Sequence, residues 1–462
     1  MSGLFGSLSM ASQSLQAQQY GLEVVGQNIS NVNTDGYSRR VVDFVAVPPT
    51  DRLDAGGGVD VQDTRAVRDS LLDHRLWQEV PAQQMQSAMA DSLGVVEVAL
   101  GDPGSSVDDK LTQFFDSFSA LAEDPTSATA RQQVLMQGQS TGAAFSDMVS
   151  RLQTSQRDAD SQVGGVVDQI NSLATQISTL NVAIAKAGSS GSDVETLKDQ
   201  QNQAIQTLSG LMNINVMDRQ DGGVDVTFGQ GRPLVIADTG FALAATPTGP
   251  TGMSVISSNG VNVGSEITSG KLGGLLQVRD TTIPGYISRL DDMAYTLANQ
   301  VNAATTAGYD LNGTAGLPFF TPLASAAGAA SALTVNAAVA GDPNKVVAAS
   351  NTSVGDNQVA RNISNLRDAR VMFGNTATLH DAWGRLVYQA GTDSQVAQTE
   401  ADSRKSIVQQ VQALRDSVSG VSLDEEAANM IKFQRAYEAN ARFFNVVNSA
   451  LDTLLNTLGT TT

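Results

Sequence analysis

The chain has no cysteine among its 462 residues, which excludes disulfides and thiolate metal ligands. Only two histidines, His74 and His380, are present, so a histidine-rich metal centre is excluded as well. Aromatic residues make up 5% of the chain and charged residues 16%, a mixture that suits long helices packed with small side chains better than a compact enzyme. Basic residues are the scarcer sign: 28 Lys and Arg against 47 Asp and Glu leave a net charge of −19. No Lys/Arg cluster offers a nucleic acid its phosphate contacts. No apolar run approaches the roughly 18 residues of a membrane span, so membrane insertion is not expected. The opening MSGLFGSLSM lacks the basic segment and long apolar stretch of a secretory signal. That leaves a cytoplasmic protein, or one exported without a cleaved signal peptide.

Charge is scarcest at the start. No Lys or Arg precedes Arg39, and only Glu23 and Asp35 are charged before it. Apolar or small residues recur there at Leu4, Leu8, Ala11, Leu15, Leu22, Val25, Ile29 and Val32, with Gln18 the single polar break. Those alternating steps of four and three are a heptad register. A helix of about 30 residues, roughly 45 Å long, is predicted to stop at Asn33-Thr34-Asp35-Gly36. The other end matches it. Leu423, Met430, Tyr437, Phe444, Leu451 and Leu458 fall at seven-residue intervals, beside a second seam of Ala427, Gln434, Ala441, Asn448 and Leu455. Val447 and Leu454 widen that apolar face. Ser422 and Glu425 predict a capping box, with Asp424 to Glu426 set against the helix dipole. Alone, each helix is marginal in water, so the two ends are expected to pair with one another or with adjacent copies and to fold on polymerisation.

Between them, RRVVDFVAV and GGGVDVQDT read as two short strands joined by a Pro/Gly-rich turn. Helical pattern follows through residue 211. Val163, Val166, Ile170, Leu173, Ile177, Leu180 and Ile184 form one heptad series, and Val194, Leu197, Ala204, Ile205, Leu208 and Leu211 another. A Gly/Ser loop with a Ser192/Glu195 capping box joins them into an αα-hairpin. The fold class is therefore α+β and mainly α: a discontinuous helical-bundle core of terminal coiled-coil helices and αα-hairpins, with a small inserted β domain. The domains are an N-terminal assembly helix (1–36), a helical domain with a short β-hairpin (37–211) and a small β domain (212–270). Helical re-entry (271–306), a Gly/Ala-rich insertion (307–355), the helical domain continued (356–420) and a C-terminal assembly helix (421–462) complete the chain.

Catalytic readings find no support. His74 and His380 sit in helical patterns as packing residues, FGQGRPLV contains only Gly-x-Gly, and DLNGTAG lacks the acidic ligands of a calcium loop. No enzyme activity, cofactor or metal is expected.

The stretch GQNISNVNTDGYSRR resembles the N-terminal signature of flagellar rod, hook and hook-associated proteins. Asn28, Ile29, Asn31, Asn33, Thr34, Gly36 and Tyr37 match; Ser30 replaces the common Ala and Asp35 the common Pro. Ser38-Arg39 is closer to the hook-associated protein 1 family. SLDEEAANMIKFQRAYEANARFFNVVNSALDTLLNTL is similar to that family's C-terminal signature at Asp424-Glu425-Glu426, Asn429, Phe433-Gln434, Tyr437 and Ala439-Asn440. The segments starting SGKLGGLLQ and RQQVLMQGQ are similar to its inner parts.

The resemblance implies a structural protein of the bacterial flagellum that self-assembles at the hook–filament junction, outside the cell, after type III export. Its implied partners are further copies, the hook protein, a second junction protein, and an export chaperone on the C-terminal helix. The N-terminal assembly residues would be Leu8, Leu15, Leu22, Val25, Asn28, Ile29, Asn31, Val32, Asn33, Gly36 and Tyr37. Leu423, Met430, Tyr437, Asn440, Phe444, Val447, Leu451, Leu455 and Leu458 would serve assembly and chaperone binding. It further implies terminal helices that are disordered in the free chain, and an outer domain missing or reduced to 307–355. The alternatives are another axial protein or a non-polymerising coiled-coil adaptor. Asn28 and Asn31 lie near one helical face, where their amides are expected to bond between helices or subunits. A neutral polar segment also avoids like-charge repulsion multiplied by every subunit.

Overall fold

A computed structural model describes residues 2–48, 57–101, 106–190, 194–249, 252–353 and 355–459. In chain order, α1 (Ser2–Ser30) leads into the hairpin β1 (Arg40–Val47) and β2 (Gly58–Ala66). Helices α2 (Ser70–Leu100), α3 (Val107–Glu123), α4 (Ala128–Ser190) and α5 (Glu195–Leu211) follow. Then come β3 (Asn215–Asp218), β4 (Val224–Phe228), β5 (Arg232–Ile236), β6 (Thr239–Gly240), β7 (Leu243–Pro247), β8 (Ser254–Ser258) and β9 (Val261–Asn262). Helices α6 (Gly270–Gln277), α7 (Ile283–Thr306), α8 (Ala329–Ala332), α9 (Ala337–Ala340), α10 (Gln358–Asn365), α11 (Leu379–Ser419) and α12 (Leu423–Gly459) complete the order.

The chain forms two compact units. The first comprises Met1–Val80, Ile170–Ala242 and Arg404–Thr462; the second comprises Pro81–Gln169 and Leu243–Ser403. In the first unit, α1 packs on α12 and on the antiparallel β1–β2 hairpin. Leu76 and Val80 of α2 pack against Val408 and Val411 of α11. The sheet β3-β4-β5-β6 is fastened to α4 by the buried Asn181, which accepts from the Val224 amide and donates to the carbonyls of Val224 and Ala237. Gln201 of α5 donates to the same side chain at 2.8 Å.

The second unit carries the larger core. Phe114 of α3 meets Phe319 and Phe320, and Phe118 meets Phe319, with ring centroids 5.6–5.8 Å apart, the tilted and edge-on geometry aromatic rings prefer. Gly138 of α4 leaves room for that cluster: a Cβ there would stand 2.7 Å from Phe319. Helices α6 and α7 join through one π turn, Val278–Thr282. It carries the buried Arg279, held by Asp160 at 2.5 Å, by Asp280 at 2.7 Å and by the Ser254 carbonyl at 2.9 Å.

Three expectations change. The β segment 212–270 forms two sheets, β3-β4-β5-β6 in the first unit and β7-β8-β9 in the second, because the chain passes between units at 242/243. Residues 307–353 are no insertion. Phe319, Phe320, Ala330, Leu333, Val339, Val346 and Val347 are buried in the second unit's main core; small residues hid this segment because Ala and Gly carry little apolar signal. The Ser422/Glu425 box is incomplete. Ser422 Oγ accepts from the Glu425 amide at 3.5 Å, but the Glu425 carboxylate turns to Arg39. Ser192, the other predicted cap, lies outside the described residues; its partner Glu195 pairs with Arg68 and Lys198.

Candidate functional site: where the terminal motifs meet

Helix α1 is seated on small side chains. Ala11, Ser14, Ala17, Gly21, Val24 and Asn28 are buried at steps of three and four. Leu8, Leu15, Leu22 and Ile29 lie on the adjoining face and are only half-buried, while Val25 is buried and Val32 half-buried. The face buried within the chain is thus one position before the leucine series that periodicity marks, and the leucines themselves stay half-exposed. Leucine marks the hydrophobic stripe, but small residues are what let two backbones approach closely.

Gly21 shows why: a Cβ there would stand 3.1 Å from the Phe433 ring. That ring also meets Phe44 of β1 at 5.9 Å. On α12 the covered face runs through Glu426, Phe433, Asn440, Phe444, Val447 and Leu451, with Met430 half-buried. The predicted seam residues Leu423, Tyr437 and Leu455 are exposed instead, Leu423 at 52% and Leu455 at 59%. The side chain of Leu458 lies outside the described residues.

Beyond Gly21 the seam becomes polar. Asn28 is 0% exposed, and its amide makes all the bonds it can. Nδ2 donates to the Arg40 carbonyl at 2.9 Å and to Glu426 Oε2 at 3.0 Å. Oδ1 accepts from the Arg40 amide at 3.0 Å and from the Tyr37 hydroxyl at 2.9 Å. The bond to Glu426 joins residues 398 apart in sequence. Glu426, 1% exposed, takes Arg39 Nε on its other oxygen at 2.8 Å. Arg39 also reaches Glu425 at 2.5 Å, and its amide donates to the Ser419 carbonyl. A buried carboxylate with both oxygens engaged by a cation and an amide avoids the large cost of an unpaired buried charge.

Gly36 turns the chain back to this site, its φ of +80° being a left-handed conformation that glycine adopts without strain. Arg40 lies under the Tyr37 ring at 5.2 Å and donates to Thr196 Oγ1 at 2.6 Å. Arg68 binds Asp199 and Glu195 of α5 at 2.7 and 2.8 Å. Of the asparagines singled out in the sequence, only Asn28 bridges elements. Asn31 Nδ2 donates to Gln27 O within its own helix end and Oδ1 accepts from Thr34, while Asn33 is exposed. The residues sequence reasoning missed are Gly21, Arg39, Arg40 and Glu426. Glu426 stood in an acidic triplet that helix-dipole chemistry already explained.

Among the described residues no group of three or more His, Asp or Glu could hold a metal ion, and no helix is long and apolar enough to cross a membrane. His380 is exposed beside Asp108 at 2.7 Å, and His74 lies against Trp77.

Three family models match the chain. The flagella basal body rod protein model covers residues 8–37, the flagellar hook-associated protein FlgK helical domain 93–320, and the flagellar basal body rod FlgEFG protein C-terminal model 413–457. The chain is 27% identical to flagellar hook-associated protein 1 of Bacillus subtilis (strain 168), with 99% of each covered. It is 26% identical to flagellar hook-associated protein 1 of Salmonella typhimurium, over 97% of this chain and 99% of that one. The chain belongs to the flagellar hook-associated protein 1 family. Its fold agrees with "The structure of the flagellar hook junction protein FlgK from Burkholderia pseudomallei", at TM-score 0.66 and 17% identity over 74% of this chain and 100% of that one. The Salmonella alignment runs to 557 positions, so that family member has stretches with no counterpart among these 462 residues. The two terminal models match the two segments that meet at Asn28 and Glu426.

Proposed function

We propose that this chain is a structural component of the bacterial flagellum that joins hook to filament by polymerising through α1 and α12. One observation carries the reading. With α1 and α12 already paired, Leu4, Leu8, Leu15, Leu22 and Ile29 still form a half-exposed ridge beside the seam. On α12, Leu423, Tyr437, Phe443, Leu454 and Leu455 remain exposed. Each large apolar side chain fully covered contributes roughly 1.5–3 kcal/mol, so neighbours in a ring gain from covering these surfaces. α1 and α12 pack against one another in the structure, and in this reading neighbouring copies cover the outward apolar faces of that pair. The partners in this reading are further copies, the hook protein and a second junction protein, with an export chaperone on α12. The place of action is outside the cell, after export without a cleaved signal.

The test is complementation of a strain lacking this chain with the Leu15→Asp, Leu22→Asp double variant. Both positions lie on the ridge and outside the buried seam, so circular dichroism should match the parent. The expected phenotype is hooks without filaments, with filament protein lost to the medium. Filaments at parental number and length would overturn the reading.

A further inference from the structure

We infer that Asn259 is a modification site: its side-chain amide is lost by attack of the Gly260 backbone nitrogen, leaving aspartate or isoaspartate in the turn between β8 and β9. The chain has two Asn-Gly pairs, Asn259-Gly260 and Asn312-Gly313. Glycine has no side chain to hinder the approach of its nitrogen to the preceding carboxamide, so both pairs are chemically competent. Both lie in the second unit, and all four residues are exposed, so global unfolding and access of water act on them alike. What separates them is their backbone bonding.

Asn259 and Gly260 are the two central residues of a hairpin turn, flanked by the paired Ser258 and Val261. Their φ angles are +49° and +78°, as in the type I′ turn for which Asn-Gly is the favoured sequence. Among the described residues, neither the Asn259 side chain nor the Gly260 N–H has a hydrogen-bond partner. The glycine stands in open space, where a Cβ would meet nothing within 4 Å. Bringing the Gly260 nitrogen onto Asn259 Cγ needs a backbone rotation, and only a short edge strand resists it. β9 is two residues long and pairs with β8 alone. Such edges open locally at little cost.

Asn312-Gly313 is fastened instead. The Gly313 N–H donates to the Asp310 carbonyl at 3.1 Å, so the nitrogen that would attack is already engaged. Asp310 Oδ1 accepts from the amides of Asn312 and Thr314, both at 2.9 Å. The Asp310 amide donates to the Thr314 carbonyl at 2.9 Å, and the Leu311 amide to the Asn344 carbonyl at 3.0 Å. Ring closure at Asn312 must first break several of these bonds, and each opposes local opening.

The reaction needs water and no other reactant. The Gly260 nitrogen bonds to Asn259 Cγ and gives up its proton, the Cγ–Nδ2 bond breaks, and Nδ2 leaves as ammonia. Water then opens the cyclic imide at either carbonyl, giving aspartate or isoaspartate. In isoaspartate the main chain runs through the side-chain carbon. That product adds a charge and a backbone atom to a two-residue turn, and so undoes the pairing of Ser258 with Val261.

The inference stands apart from the polymerisation reading and from both terminal helices. Its test incubates the purified parent chain in mildly alkaline buffer, with and without guanidinium, and follows each asparagine by peptide mass spectrometry. In the native chain Asn259 should convert about tenfold faster than Asn312 or more, a ratio equivalent to about 1.4 kcal/mol. In guanidinium the two should convert at similar rates, since glycine follows both. Equal rates in the native chain, or faster loss at Asn312, would overturn the inference. So would an Asn259 that stays intact in the native chain while both sites convert in guanidinium. A tenfold ratio persisting in guanidinium would also sink it, by assigning the difference to local sequence and not to the fold.

Discussion

Asn28 Nδ2 lies 3.0 Å from Glu426 Oε2, with both side chains buried and 398 residues of chain between them. Truncating the amide leaves the Arg40 peptide groups and one carboxylate oxygen without their partner. Asn28→Ala should therefore destabilise the first unit by about 2–4 kcal/mol. The chain has two tryptophans, Trp77 in the first unit and Trp383 in the second. Denaturation of single-tryptophan forms separates the units: the Trp77 midpoint should fall while the Trp383 midpoint holds.

Gly21 makes a separate prediction. A Cβ at that position already crowds the Phe433 ring at 3.1 Å, so a branched or long side chain cannot enter without moving α1. Gly21→Leu should cost roughly 1–3 kcal/mol by overpacking, despite the better helix propensity of leucine. Protease nicking within residues 2–30 should rise accordingly. Unchanged resistance would mean that the notch is not tight.

Residues 307–353 should behave as core. Phe320→Ala removes a fully buried ring from the Phe114 and Phe319 contacts and should cost about 3–5 kcal/mol, read as a lower Trp383 midpoint. Deleting 307–353 should unfold the second unit. A cooperative Trp383 transition surviving that deletion would return the segment to the status of an insertion.

Two carboxylates set opposite pH trends. Hydrogen bonds from Ser350, with others from Gln358 and Asn351, hold Asp356 below its ordinary value of 3.8. Its contribution is present above about pH 4 and is lost as the pH falls through the folded value. Burial pushes Asp73 above 3.8 despite the opposing Arg415 and Arg68, so its effect is most favourable below 3.8 and is lost as the pH rises from there through the folded value. Asp356→Asn should lower the second unit's melting temperature at pH 7, with the gap closing toward pH 2. Asp73→Asn should raise the first unit's melting temperature at pH 7, with the gain vanishing near pH 3.

Much of this was readable beforehand, for identifiable reasons. The long terminal helices followed from a period that leucines mark plainly, and the hairpin from β-branched alternation bounded by Gly and Pro. The within-chain contact face of α1 was not legible, because Ala17 and Gly21 gain their value from what fits against them and periodicity counts only apolar character. Ala329, Ala330 and Ala348 hid the buried role of 307–353 in the same way. Asn28 could be singled out from its motif, but the identity of its partner depended on tertiary folding. No local pattern connects Asn28 to a glutamate near the opposite terminus, or Arg39 to the same carboxylate.

That Glu426 completes the bonding of Asn28 makes the seating of the first helix depend on a residue 398 positions further along the chain. A fragment that stops short of residue 426 keeps the Arg40 carbonyl for one N–H of Asn28 but has no carboxylate for the other. Such a fragment cannot seat its first helix in the native manner.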